Sequence, residues 1–272
     1  MTFFRTVTLA AQDCGRSPDV LTRLRRREID GVLVKDVYDR AACAAVCGDL
    51  EQNRHHLIRT DFPAKFAAFF YGINLNLTHP DLQEYFDEAP RFRAGLAKLI
   101  AGELDLEQRL TGLMSALDGG LSYAPAPGPR PGTQYMFTTI RAHLSGGFIP
   151  PHFDDEQAAR PSYRLLLPAI RPNLFSFVLA FSQAQEGGAL EIFNLHPQQQ
   201  GQPIAVGDRS TPKPDLTAVE RVSFRLEAGD MIIVNSGHYL HRVTPVVGPA
   251  VRWTACSFMA ESKAGDRVYC WG

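Results

Sequence analysis

The chain has 272 residues, 45% of them hydrophobic and 21% charged, with a formal net charge of -1. That is the make-up of an ordinary globular protein, long enough to bury a core without disulfides. The balanced charge argues against a nucleic-acid or acidic-membrane partner, and no run of eighteen apolar residues is present to span a bilayer.

The opening stretch, MTFFRTVTLAAQDCGRSPDV, has a short apolar run and no cleavage-site pattern, so no signal peptide is expected. Five cysteines (Cys14, Cys43, Cys47, Cys256 and Cys270) are odd in number and scattered. Cys43 and Cys47 lie one helical turn apart, but no second pair accompanies them. Reduced thiols in a cytoplasmic protein are expected, rather than a zinc site.

The first half reads as helical. Asp36 is expected to cap a helix through VYDRAACAAVCGDLEQN. A second helix is expected from His79, with Pro80 in its first turn and Leu82, Tyr85, Phe86 and Ala89 at helical spacing. Pro90 is expected to interrupt it. Helical pattern resumes from Phe92 to Leu117, and Gly119 and Gly120 stop it.

Residues 124–133, APAPGPRPGT, read as a proline-rich loop, neither helix nor interior strand. From Gln134 the pattern shortens. YMFTTIRAHL, NLFSFVLAFSQ, GALEIFNL, RVSFRLEAG, DMIIVNSG and VRWTACSFMA are strand-like runs bounded by Gly, Pro, Asn or Asp. Their number and spacing point to a barrel or sandwich. The segment 196–217 is polar and loop-like. The chain is read as one domain over 1–272, with 1–123 as mostly helical support packed on the sheet and 134–260 as the β-core. The fold class is α+β, mainly β.

Among the eight histidines, His152 stands two residues before Asp154. In extended chain the two point to the same side. A His-x-Asp pair is equally what a buried, hydrogen-bonded histidine would show. His241 follows a strong strand, and two imidazoles with one carboxylate would make the facial triad of non-haem iron(II). His238, three residues earlier, is the rival ligand or a group supporting one. Arg252 comes eleven residues after His241. A hairpin through Thr244, Pro245 and Gly248 would bring its cation back beside the metal, where it could clamp a carboxylate. Thr254 shares its side.

These residues carry a resemblance. HFD at 152–154, FSFVLAFSQAQEGGALEIF at 175–193 and HRVTPVVGPAVRWT at 241–254 together resemble the iron(II)- and 2-oxoglutarate-dependent dioxygenases, over roughly 134–260. The resemblance implies a double-stranded β-helix, the jelly-roll or cupin-like core. It implies iron(II) held by His152, Asp154 and His241, and 2-oxoglutarate held by Arg252 with Thr254. Dioxygen is the second co-substrate. The helical first half is similar to the free-standing small-molecule branch, which includes amino-acid hydroxylases and halogenases. Halogenases of that kind carry a small residue in place of the carboxylate, so Asp154 favours hydroxylation of an unactivated C–H bond. Desaturation and ring closure use the same site, and a non-oxidative, metal-dependent binding protein of the cupin class is the reading from outside the oxygenases. Arg141, His143, Arg160, Arg164 and Tyr135 are candidate cavity residues. Substrate contacts are expected from the proline-rich loop, the loop after Asp154 and 196–217.

Overall fold

The computed structural model describes residues 3–100, 105–197 and 215–272. Its frame is a large sheet that draws strands from the whole length of the chain. From the first half come β1 (Thr6–Ala10), β2 (Gly31–Lys35), β3 (Arg59–Asp61), β4 (Ala68–Tyr71) and β5 (Ser122–Pro125). From the second half come β6 (Thr139–His143), β8 (Phe175–Ala180), β12 (Met231–Val234), β15 (Arg252–Glu261) and β16 (Arg267–Trp271). The order is β1-β2-β12-β8-β15-β6-β4-β3, with β16 pairing the far end of β15 and β5 pairing β16. A second sheet, in the order β11-β10-β13-β7, is built from β7 (Ile149–His152), β10 (Leu190–Phe193), β11 (Arg221–Phe224) and β13 (His241–Val243). A short pair joins β9 (Glu186–Gly187) to β14 (Val246–Val247).

Strand alternation decides which face meets which layer. On β4, β6 and β15, the side chains Tyr71, Ile140, Ala142, Trp253 and Ala255 belong to one hydrophobic cluster with residues of the helices. Those helices are α1 (Val20–Arg25), α2 (Arg40–Glu51), α3 (Gln83–Leu96) and α4 (Leu106–Ala116). Trp253 stacks on Tyr71, with ring centroids 5.7 Å apart. The intervening residues, Phe70, Arg141, His143, Arg252 and Thr254, therefore face away from the helices into the space between the sheets. The register aligns them in rows. Phe70 lies opposite Arg141 and Arg141 opposite Thr254, while His143 lies opposite Arg252.

Several expectations are corrected. The first half is helical, but the helix expected from His79 starts only at Gln83, past Pro80, and five strands of three to five residues stand among the helices. Asp36 is not the cap of α2. It sits at φ 57°, and Asp39 caps the helix by accepting the Ala42 N–H at 2.7 Å. Pro90 does not interrupt α3, which runs through it. The buried face of Tyr85, Phe86, Ala89, Phe92 and Leu96 holds that helix together despite one lost hydrogen bond. The pattern from Phe92 to Leu117 is split between α3 and α4. Pro125 lies in a strand, at the sheet's edge on β5, where a missing N–H is tolerated. Most of 196–217 lies outside the described residues. Among the described residues, no helix is long and apolar enough to cross a membrane, and all five cysteines are free thiols.

Candidate metal centre

The second sheet brings two histidines together. His152 ends β7, and His241 opens β13 directly opposite it in the antiparallel register. Their ring centroids are 4.3 Å apart. Beyond His152 the chain leaves extended conformation. Phe153 turns into a small apolar cluster with Phe193 and Leu240, and Asp154 is pinned by its own N–H donating to the Ser236 carbonyl at 3.1 Å.

Each imidazole is oriented by the carbonyl two residues before it. His152 Nδ1 lies 2.8 Å from the Pro150 oxygen and His241 Nδ1 3.0 Å from the Tyr239 oxygen. A carbonyl only accepts, so both Nδ1 atoms carry the hydrogen and both Nε2 lone pairs are free. These Nε2 atoms lie 3.4 and 3.6 Å from the same carboxylate oxygen, Oδ1 of Asp154. One ligand atom from each residue falls within a 4.8 Å cluster. Two imidazoles and one carboxylate converging from one side suit a divalent first-row metal with open positions opposite.

Burial works against charge at all three groups. It is outweighed at Asp154, where His241 and His152 hold the carboxyl far below the usual range. It is outweighed too at His152, which Asp154 raises. At His241 burial prevails, and with the charge of His152 it lowers the pKa to about 4.

Arg252 and Thr254 stand on the inner face of the opposing sheet. The expected hairpin from His241 to Arg252 does not form, because β13 and β15 belong to different sheets. The connecting segment crosses between them, pairing briefly with β9 on the way. Arg252 is 6% exposed and has no carboxylate or other hydrogen-bonding partner among the described residues. Burial, together with the charge of Arg141, pulls its pKa down to about 10. His143, facing it across the register, is buried with neither ring nitrogen hydrogen-bonded. Burial, Arg252 and Arg141 push its pKa well below the ordinary histidine value. Thr254 is fully buried and accepts a weak bond from Cys256 Sγ at 3.6 Å.

The paired glycines have a local reason. A Cβ on Gly187 would fall 1.9 Å from the Pro245 oxygen, and one on Gly188 2.8 Å from Cδ of Arg252. Both backbones are left-handed, at φ 66° and 62°. Gly188 thus makes the wall against which the Arg252 stem lies. Gly188→Ala is expected to cost about 1–3 kcal/mol of stability and to weaken binding of a carboxylate at Arg252. Thermal melts and 2-oxoglutarate titrations check this. An unchanged titration would remove Gly188 from the support of Arg252.

His238 does not join the cluster. It stacks on His196, centroids 4.2 Å apart, and lines a separate polar cavity with Arg25, Arg27 and Asn235. Burial, Arg27 and His196 lower its pKa to about 4. Tyr135 packs against Tyr85 and Phe86 of α3, on the helical side. Arg160 donates to the Asn76 carbonyl at 3.1 Å, and Arg164 is exposed. Two further groups near the site carried no readable motif. They are Tyr163, fully buried, and Trp271, 6.4 Å away between centroids.

No curated protein matches the chain by sequence. Solved structures share its fold at low identity. One is the N-substituted L-amino acid dioxygenase of Burkholderia ambifaria AMMD, at 15% identity and a TM-score of 0.60, covering 92% of this chain and 89% of that one. The same enzyme in complex with alpha-KG (2-oxoglutarate) gives 15% and 0.59, covering 93% and 90%. The epimerase SnoN in complex with Fe3+, alpha ketoglutarate and nogalamycin RO gives 16% and 0.50, covering 89% and 83%. The family profile of the carrier-protein-independent halogenase WelO5 matches residues 3–272. With nearly its whole length matched, the chain belongs to the WelO5 family, within the iron(II)- and 2-oxoglutarate-dependent oxygenases.

Proposed function

We propose that this enzyme hydroxylates an unactivated C–H bond of a small molecule, with His152, Asp154 and His241 as the iron ligands and Arg252, aided by Thr254, as the 2-oxoglutarate anchor. The observation that carries the reading is the pairing of that metal-ready cluster with a buried guanidinium lacking a counter-charge across the same inter-sheet space. A buried, unpaired cation is costly unless a ligand supplies the anion. The distal carboxylate of 2-oxoglutarate does so bidentately.

When bound, iron(II) and 2-oxoglutarate supply the activation of dioxygen, with 2-oxoglutarate decarboxylated to succinate. The chain's own part is placement. Pro150 and Tyr239 hold the imidazoles, Ser236 holds Asp154, and Gly188 leaves room for Arg252. Asp154 favours oxygen insertion over halogenation, because its carboxylate takes the coordination position a halide would need.

A low-molecular-weight substrate, such as an amino-acid derivative or natural-product intermediate, is supported by the named activity of the Burkholderia ambifaria structure. We place the enzyme in the cytoplasm, in keeping with its five free thiols. We read 1–272 as one domain, since strands from both ends share one sheet. Anaerobic iron(II) and 2-oxoglutarate are expected to give a visible charge-transfer band, and air is then expected to give succinate. Metal binding without the band would favour a non-oxidative cupin-class binding protein instead.

A further inference from the structure

Arg141 is a second, half-buried cation in the same inter-sheet space, and the co-substrate chemistry does not use it. It stands on the inner face of β6, one strand from Thr254. Its guanidinium carbon lies 4.9 Å from the Phe70 ring centroid and 5.8 Å from that of Phe258. Two aromatic faces hold the group but bring no counter-charge. Its Nε is buried without a hydrogen-bond partner, and it makes no ion pair among the described residues. Its charge is felt at His241, at Arg252 and at Tyr163.

Tyr163 sharpens the picture. Its hydroxyl is fully buried, the indole N–H of Trp271 beside it acts on the hydroxyl oxygen as a donor, and no acceptor takes the hydroxyl's own hydrogen. Asp154 and Arg141 both act on that hydroxyl, and Trp271, beside Tyr163, lies 6.3 Å between centroids from Phe258, one of the two rings against Arg141. The groups gathered here are mainly donors with one fixed positive charge. The neighbouring acids are engaged elsewhere. Asp155 accepts the Leu174 N–H at 3.1 Å, and Glu156 accepts a backbone hydrogen bond from Phe153. Charge balance points the same way. Iron(II), Asp154, doubly negative 2-oxoglutarate and Arg252 together are neutral, so Arg141 is left over.

We propose that Arg141, with the Tyr163 hydroxyl, binds a carboxylate of the substrate, so that the enzyme selects organic anions whose apolar part lies along Phe70 and Phe258. This rests on the oxygenase reading above. A carboxylate held here would present the neighbouring carbon atoms of the same molecule toward the metal cluster.

The test uses full-length protein loaded anaerobically with iron(II) and saturating 2-oxoglutarate, so that Arg252 is already occupied. Benzoate and benzamide, matched in shape and differing in charge, are titrated against the fluorescence of the tryptophans. Benzoate is expected to bind at least tenfold more tightly than benzamide. Arg141→Met is expected to weaken benzoate about 10–100-fold, the range for a charge-assisted hydrogen bond, and to leave benzamide unchanged. Tyr163→Phe, which removes one oxygen only, is expected to cost about 2–10-fold and serves if the arginine variant fails to fold.

No saturable benzoate binding, equal binding of the pair, or an unchanged preference in Arg141→Met each overturns the proposal. So does a loss of 2-oxoglutarate affinity in Arg141→Met, which would assign Arg141 to the co-substrate. Absence of the charge-transfer band in the wild-type protein would instead defeat the oxygenase reading, a separate outcome from the benzoate preference.

Discussion

Asp154→Gly is expected to abolish iron-dependent succinate formation and to weaken iron binding by more than a hundredfold. Merely disturbing the groups that orient metal ligands costs about 10–100-fold in affinity or activity. Removing a ligand outright should cost at least as much. Oδ1 of Asp154 is the one atom that meets both Nε2 lone pairs, at 3.4 and 3.6 Å, so no other carboxylate in the cluster can replace it. The change is clean structurally, because the Asp154 backbone keeps its bond to the Ser236 carbonyl. Iron titration and succinate assay measure the loss, and full retained activity would remove Asp154 from the ligand set. The native residue has a second consequence. The family is named for halogenation, yet on the proposed ligand set this carboxylate would fill the position a halide would take. In chloride buffer the wild-type enzyme is expected to give an oxygenated product without chlorine. A chlorinated product in the mass spectrum would show that Asp154 does not stay on the metal.

The site was legible in the sequence to the extent that it depends on local spacing. His152 and Asp154 are two residues apart, and Arg252 and Thr254 share strand parity. The Arg252–Thr254 relation survives folding because strands alternate, whereas Asp154 reaches the cluster from a turn past the end of β7, held by the Ser236 carbonyl. The choice between His241 and His238 was not legible from parity alone. It turns on His241 lying opposite His152 in the β13–β7 register, a non-local relation, whereas His238 is drawn off by His196. The route from His241 to Arg252 was misread as a hairpin for a similar reason. Turn residues mark where a chain reverses but not which sheet it enters next. Arg141 was visible as a candidate on β6, while Tyr163 was not, since it lies outside any strand and its relevance comes only from what surrounds it. The N-terminal strands were hidden in another way. They are only three to five residues long, too few for a period-2 alternation to stand out. Pro90 misled because helix propensity yields to five buried side chains on one face of α3.

Arg252→Met is expected to move two measurements in opposite directions. Affinity for 2-oxoglutarate falls by about 10–100-fold or more, as a bidentate, charge-assisted contact is lost. The ligand-free protein, however, becomes more stable. Arg252 is 6% exposed, has no carboxylate partner among the described residues, and sits near a second cation, Arg141. Its pKa lowered to about 10 records a charge that the fold disfavours. Methionine fills similar space without a charge, and replacing buried charges by packed apolar groups stabilises by about 1–4 kcal/mol. For a chain of this size that is a rise in melting temperature of roughly 2–4 °C per kcal/mol. A saturating concentration of 2-oxoglutarate with iron(II) reverses the order, raising the melting point of the wild type above that of the variant, because only the wild type gains the binding energy. The crossing of the two melting curves with ligand is the signature of a residue kept for binding at the expense of the empty fold. A variant that lost stability without ligand, or kept wild-type 2-oxoglutarate affinity, would mean that Arg252 is a structural cation whose counter-charge belongs to the protein itself.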